Sequence, residues 1–258
     1  MTTQTTARMP ARRPSDESPP SAAAPQRDTR MFYSRLIGGL FLAGFLSYGV
    51  GALLVTSVTG DEGFLATVPA HRGVLVLGAL LMLVNTAVDI GKAVLFFPVI
   101  ERWGKRTALA YTGTMVFEVA MMAVGVLALL MLVPLADRAA SGQLDASIAQ
   151  SLGSLAVDGN ELAYQVGQMS LGFGAMFLAY LLFRTGLVPR ALAGLGVVGY
   201  ATHMLGAVFE LFGVHISMWL LIPGGIFEVS LGIWLLVKGF GPAVYRERGR
   251  DSRTALTA

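Results

Sequence analysis

Apolar residues in this chain come in six long runs, and polar residues crowd into the stretches between them. The runs lie at about Leu36–Val58, Val74–Val99, Ala108–Leu135, Leu162–Phe183, Ala191–Phe212 and Met218–Lys238. Each supplies the ~20 apolar residues that a hydrocarbon core about 30 Å thick requires. No water reaches backbone groups at that depth, so each run is predicted to be a helix that satisfies its own N–H and C=O groups. The predicted fold is all-α, a polytopic membrane bundle of six transmembrane helices spanning residues 31–240. Residues 1–30 are polar and rich in Pro, Ser, Thr, Ala and Arg, and are expected to form a disordered cytoplasmic tail. Their first apolar run begins too late for a secretory signal. Residues 241–258 are expected to form a second, basic cytoplasmic tail.

Composition agrees with that pattern. The chain is 54% hydrophobic and 14% charged, with a mean hydropathy of +0.64. A soluble domain has about 25% charged residues. The shortage of charge excludes a soluble enzyme, a disordered chain and a nucleic-acid binder. The absence of cysteine excludes disulfides, thiolate nucleophiles and iron–sulfur or zinc–thiolate sites. No cofactor, metal or nucleic-acid partner is expected, and the environment is a lipid bilayer.

The net charge of +3 is explained by where the basic residues sit. Sixteen of the nineteen Lys and Arg fall in the two tails, in the turns after the second and fourth runs, or at the outer ends of the first and sixth runs, as Arg35 and Lys238. The opposite turns hold only Arg72 and Arg138, and Lys92 lies inside the second run. Positive residues favour the cytoplasmic side, so both termini are predicted to be cytoplasmic.

Between the fourth and fifth runs the chain reads Arg184-Thr185-Gly186-Leu187-Val188-Pro189-Arg190, followed by Gly199-Tyr200. The sixth run carries Pro223, Glu228 and Trp234-Leu235-Leu236-Val237-Lys238-Gly239. In order and spacing these residues resemble a bacterial family of six-helix membrane proteins, domain of unknown function family 4386. The resemblance covers about residues 32–240 and is strongest from Leu171 onward. Thr185 departs from the serine expected there, and the long N-terminal tail is an addition. The resemblance implies the architecture and a bacterial cell (inner) membrane, and it transfers no catalytic residue. The junction also has a structural explanation: Gly186 can end a helix in a left-handed conformation, and Pro189 suits the first turn of the next.

The candidate chemistry lies in ionisable residues inside the runs, where charge is costly. Counted from the nearest cytoplasmic basic residue at ~1.5 Å per residue, Asp89 and His203 lie about 20 Å deep, Glu118 about 18 Å and Glu228 about 15 Å. Four helices thus bring an ionisable group to a similar depth, with Lys92 slightly nearer the cytoplasm. Asn85, Asp89 and Lys92 share a helix face, and Asp89 can pair with Lys92 three positions on. Glu161, Tyr164, Gln165 and Gln168 share a face of the fourth run, and His203 and Glu210 a face of the fifth. Pro223-Gly224-Gly225 is expected to kink or break the sixth helix. Each polar residue also has a structural explanation, as a snorkelling lysine, a register-fixing ion pair or a carboxyl bonded to a neighbouring helix.

The sequence therefore reads first as a non-catalytic accessory, sensory or lipid-interacting bundle. The alternative is a small proton-coupled transporter using Asp89, Glu118, His203 and Glu228. A third reading is an intramembrane enzyme acting on lipid or quinone, with a carboxylate as general acid or base.

Overall fold

A computed structural model describes residues 24–241. Both expected tails lie outside them, except that the first helix, α1 (Ala24–Thr59), begins seven residues inside the first tail. A short 3-10 turn (Phe64–Ala66) follows, then α2 (Val68–Leu130), α3 (Leu132–Ala140), α4 (Ala146–Thr185), α5 (Arg190–Leu211) and α6 (Ser217–Val237). The described residues form an all-α bundle with five helices long and apolar enough to cross a membrane.

Five rather than six are counted because the second and third expected helices run together. Val68–Ala140 is one helical stretch of 73 residues, which if straight would be about 110 Å long. It is not straight. At Gly104 the backbone is extended, with φ −173° and ψ 83°, and the chain doubles back there. Phe96 and Tyr111 would stand about 22 Å apart on one straight helix, yet their rings meet edge-on at 6.2 Å. α2 is therefore two antiparallel arms, 68–103 and 105–130, and the fold has six rods. The turn falls among Arg102, Gly104, Lys105 and Arg106, where the loss of apolar side chains had placed a loop.

The rods form a closed ring. α1 packs on α2, α2 on α4, α4 on α5, α5 on α6, and α6 returns to α1. One end of the ring carries Met31, the Gly104 turn, the 186–189 turn and Gly241. It is called the terminal end, and the opposite one the distal end. Several contacts are made at glycines, because small residues let helix backbones approach without a side chain between them. A Cβ on Gly38 of α1 would lie 2.5 Å from the carbonyl oxygen of Gly232 on α6. Gly51 and Gly78 bring α1 against the first arm, and Gly199 and Gly224 bring α5 against α6, with equally little room.

Two apolar cores fill the ring at different heights. The terminal-end core gathers Ile37 and Phe41 of α1, Phe96 and Ile100, Leu178 and Leu182 of α4, and Leu231 and Leu235 of α6. Phe96 is its centre, fully buried and edge-on to Phe41 at 6.0 Å, Tyr111 at 6.2 Å and Phe240 at 5.7 Å. The distal-end core joins Val55, Phe64, Leu75, Val126, Leu132 and Ala149, and draws nothing from α5 or α6.

The helix ends follow local chemistry. Gly186 takes the left-handed conformation at φ 67° and ends α4 as its sequence position implied. Of the kink or break expected at Pro223, the break does not occur, and α6 runs through it unbroken. A proline removes one N–H donor but keeps a helical φ, and the adjacent Gly224 is held against Gly199 across the helix pair. α4 starts sixteen residues before the fourth apolar run. Its first turn is capped by Asp145, whose Oδ1 accepts from the N–H of Ser147 at 2.8 Å, its hydroxyl at 2.6 Å and the N–H of Ile148 at 3.3 Å.

The Ser147 hydroxyl, followed by those two N–H groups, holds the Asp145 carboxyl below its usual range. A carboxyl depressed in the folded state stabilises the fold above its unfolded pKa, and that contribution is lost as pH falls through the folded value. Asp145→Ala is expected to melt below the wild type at pH 7. The gap should close as pH drops below about 4, as thermal melts across a pH series would show; a gap independent of pH would refute the charged cap.

Candidate functional site

A chamber of about 460 Å³ lies between the two cores. All six rods contribute to its wall, because a closed ring turns one stripe of each helix inward. The five residues predicted from depth alone, Asp89, Lys92, Glu118, His203 and Glu228, all line it. So do Glu161, Tyr164, Gln165 and Gln168, the polar face expected on the fourth helix.

The floor of the chamber is an ion pair. Lys92 Nζ lies 2.5 Å from Asp89 Oδ1, and both side chains are buried. Asn85 Nδ2 donates to the other carboxylate oxygen at 2.7 Å, so one helix face supplies a complete Asn–Asp–Lys network at i, i+4 and i+7. Lys92 also stands 4.9 Å over the ring of Phe41, directly beside the terminal-end core. Gly44 makes room for this group: a Cβ there would lie 3.1 Å from Asn85 Oδ1 and 3.6 Å from Lys92 Nζ.

The other polar groups are held in pairs between or along helices. Tyr200 of α5 donates its hydroxyl to Glu228 Oε1 of α6 at 2.9 Å. His203 of α5 meets Gln168 of α4 through Nε2 and Oε1. Gln165 donates to Glu161 Oε1, and Tyr48 of α1 stacks on Tyr164 with ring centroids 5.3 Å apart. Glu118 is the exception. Its side chain is 2% exposed, and its Oε2 is buried with no hydrogen-bond partner among the described residues.

The chamber occupies the distal half of the ring. On α1 its lining runs from Gly44 to Thr56, on α4 from Leu171 back to Glu161, and on α6 from Glu228 back to Ser217. Thr56, Glu161 and Met218 are exposed near its distal end, and Phe45 of α1, beside Gly225 of α6, is exposed as well. The Phe96 cluster closes the terminal side.

Glu210 is not part of this site, although it shares a helix face with His203. Its Oε1 pairs with His215 Nδ1 at 2.6 Å, and its Oε2 accepts from the N–H of Ser217 at 3.3 Å, where α6 begins. Tyr48 and Tyr200 are the members of the site that sequence reasoning did not single out. Tyrosines are common in helices near either membrane face, so only the partner across the bundle, Glu228 for Tyr200 and the Tyr164 ring for Tyr48, distinguishes them. The family described as "Domain of unknown function (DUF4386)" matches residues 36–239. No curated protein and no solved structure matches the chain.

Proposed function

The chain belongs to the DUF4386 family, and on that footing we propose that it is a proton-coupled carrier for a small molecule in a bacterial cell membrane. In this reading the six rods each cross the bilayer, both chain ends are cytoplasmic, and the distal end of the chamber faces the outside. The observation that carries the reading is the chamber itself. A bundle that only packs, senses or contacts lipid has no need of five ionisable side chains gathered round a space at membrane depth, where each is costly to keep. A carrier needs such a space, and it needs a closure on one side only. The aromatic layer around Phe96 supplies a closure on the terminal side. The volume falls within the roughly 300–1,000 Å³ of small-molecule sites.

The absence of cysteine makes the reading easy to test, since single cysteines can be introduced without background. Leu171 lines the chamber and also borders the terminal-end core. Leu171→Cys is expected to react with a membrane-impermeant thiol reagent in right-side-out vesicles and, separately, in inverted ones. Reaction from one side only would make the chamber a fixed pocket and overturn the carrier. Ser141→Cys, in the distal turn, should react only in right-side-out vesicles and Lys105→Cys only in inverted ones; the reverse pattern would overturn the orientation.

A further inference from the structure

We propose that the ligand of this chamber is an organic monocation, a protonated or quaternary amine on an apolar body, and that it exchanges for a proton at Glu118. The proposal rests on the carrier reading for its setting, but it concerns what the site recognises rather than whether it moves.

The charges in the chamber do not balance. Asp89, Glu118 and Glu228 face one lysine, and Lys92 is already committed to Asp89. Asn85 and Tyr200 donate to Asp89 and Glu228 respectively, so those carboxyls have neutral support as well. Glu118 has neither a cation nor a donor on its buried oxygen among the described residues. A buried carboxyl in that condition must be neutralised, because an unpaired charge out of water is prohibitively expensive. A proton can do it. So can a cation that brings its own charge or N–H donors to the same oxygens. The two occupants are mutually exclusive, which supplies the coupling: the amine arrives charged, Glu118 releases one proton, and the net charge of the site is unchanged.

The surrounding groups fit a cation better than an anion or a neutral solute. From α1 comes Tyr48, and from the first arm the neutralised Asp89–Lys92 pair. From α4 come Tyr164, stacked on Tyr48, and Glu161 near the distal end. From α5 come Tyr200 and His203, and from α6 Glu228. Aromatic faces attract organic cations, most strongly where water is excluded. The one exposed ionisable group, Glu161, adds negative charge on the approach. An anion would meet Glu118, Glu161 and Glu228, none of them paired with a cation among the described residues. An uncharged solute would leave Glu118 as it is.

The test uses the full chain in lipid nanodiscs, with benzyltrimethylammonium as the cation, neopentylbenzene as its uncharged isostere and phenylacetate as the anion. Calorimetry should show saturable one-to-one binding of benzyltrimethylammonium, and a pH-indicating dye in weakly buffered solution should record about one proton released per cation. Neopentylbenzene should release none. Glu118→Gln should bind the cation at least tenfold more weakly and release no proton, whereas Glu118→Asp should keep the release. Because proton release is read on the wild type, the proposal is tested even if Glu118→Gln fails to fold. Absence of cation binding, equal competition by neopentylbenzene, or wild-type release from Glu118→Gln would overturn it. Binding of phenylacetate in place of the cation would overturn this inference while leaving the carrier standing. Cation binding with proton release, together with one-sided labelling of Leu171→Cys, would support this inference and remove the carrier.

Discussion

Lys92→Met is expected to be among the most destabilising single substitutions in the chain, and pairing it with Asp89→Asn should recover most of the loss. The two side chains form a buried ion pair. Removing one partner of such a pair leaves an uncompensated charge and costs about 3–5 kcal/mol, whereas replacing both with neutral groups is often close to neutral. Asn85 donates to the same carboxylate, but an amide cannot replace an ammonium. Thermal unfolding of purified Lys92→Met, Asp89→Asn and the double variant would show the pattern. Two single losses that simply add in the double variant would mean that the residues do not stabilise each other. Simple snorkelling of Lys92 to an interface predicts a small loss instead, and the contact with Phe41 inside the bundle speaks against it.

The second large effect separates two adjacent glycines. Gly38→Ala would place a methyl group 2.5 Å from the Gly232 carbonyl oxygen and 2.9 Å from the backbone nitrogen of Leu236. Backbone cannot rotate out of the way as a side chain can, so α1 and α6 must separate. Overpacking of this kind costs about 1–3 kcal/mol. Gly39→Ala meets nothing within 4 Å, and alanine in a helix interior is favoured over glycine by roughly 0.5–1 kcal/mol. The two neighbours should therefore move the melting temperature in opposite directions. A fall at both positions would mean that helix packing at Gly38 is not the reason for its glycine.

Much of this architecture was legible in the chain. The fifth and sixth helices lie within one residue of their apolar runs, because short turns carrying left-handed glycines, Gly186, Gly213 and Gly239, set them off. The fourth was placed far too short. Residues 146–161 mix Ser, Gln, Asp and Glu with apolar residues, so hydropathy passes over them, and the helix start is written instead in the cap at Asp145. At Pro223 the helix continues without a break, since a proline removes one N–H but keeps a helical φ. Whether the helix survives depends on what packs beside it. Within the site, depth and periodicity brought Asp89, Lys92, Glu118, His203 and Glu228 to one level and, for Asp89 and Lys92, to one face. Neither can say which rods are neighbours. That Tyr200 reaches Glu228, that Gln168 reaches His203, and that Glu118 Oε2 has no hydrogen-bond partner among the described residues follow only from the closed ring.

The glycine contacts bear on how such a ring could change shape. At Gly199–Gly224 and at Gly51–Gly78 two backbones touch with no side chain between them. A slide of one turn along either seam would bring His203, or Val55 or Met82, to a place where only hydrogen fits. These seams therefore resist shear, and α5 with α6, like α1 with the first arm, behave as stiff two-helix staves. Any rearrangement of the chamber is then a tilt of one stave against another, pivoting where they are not fused by glycine. Its amplitude is set by how far the rings around Phe96 can part.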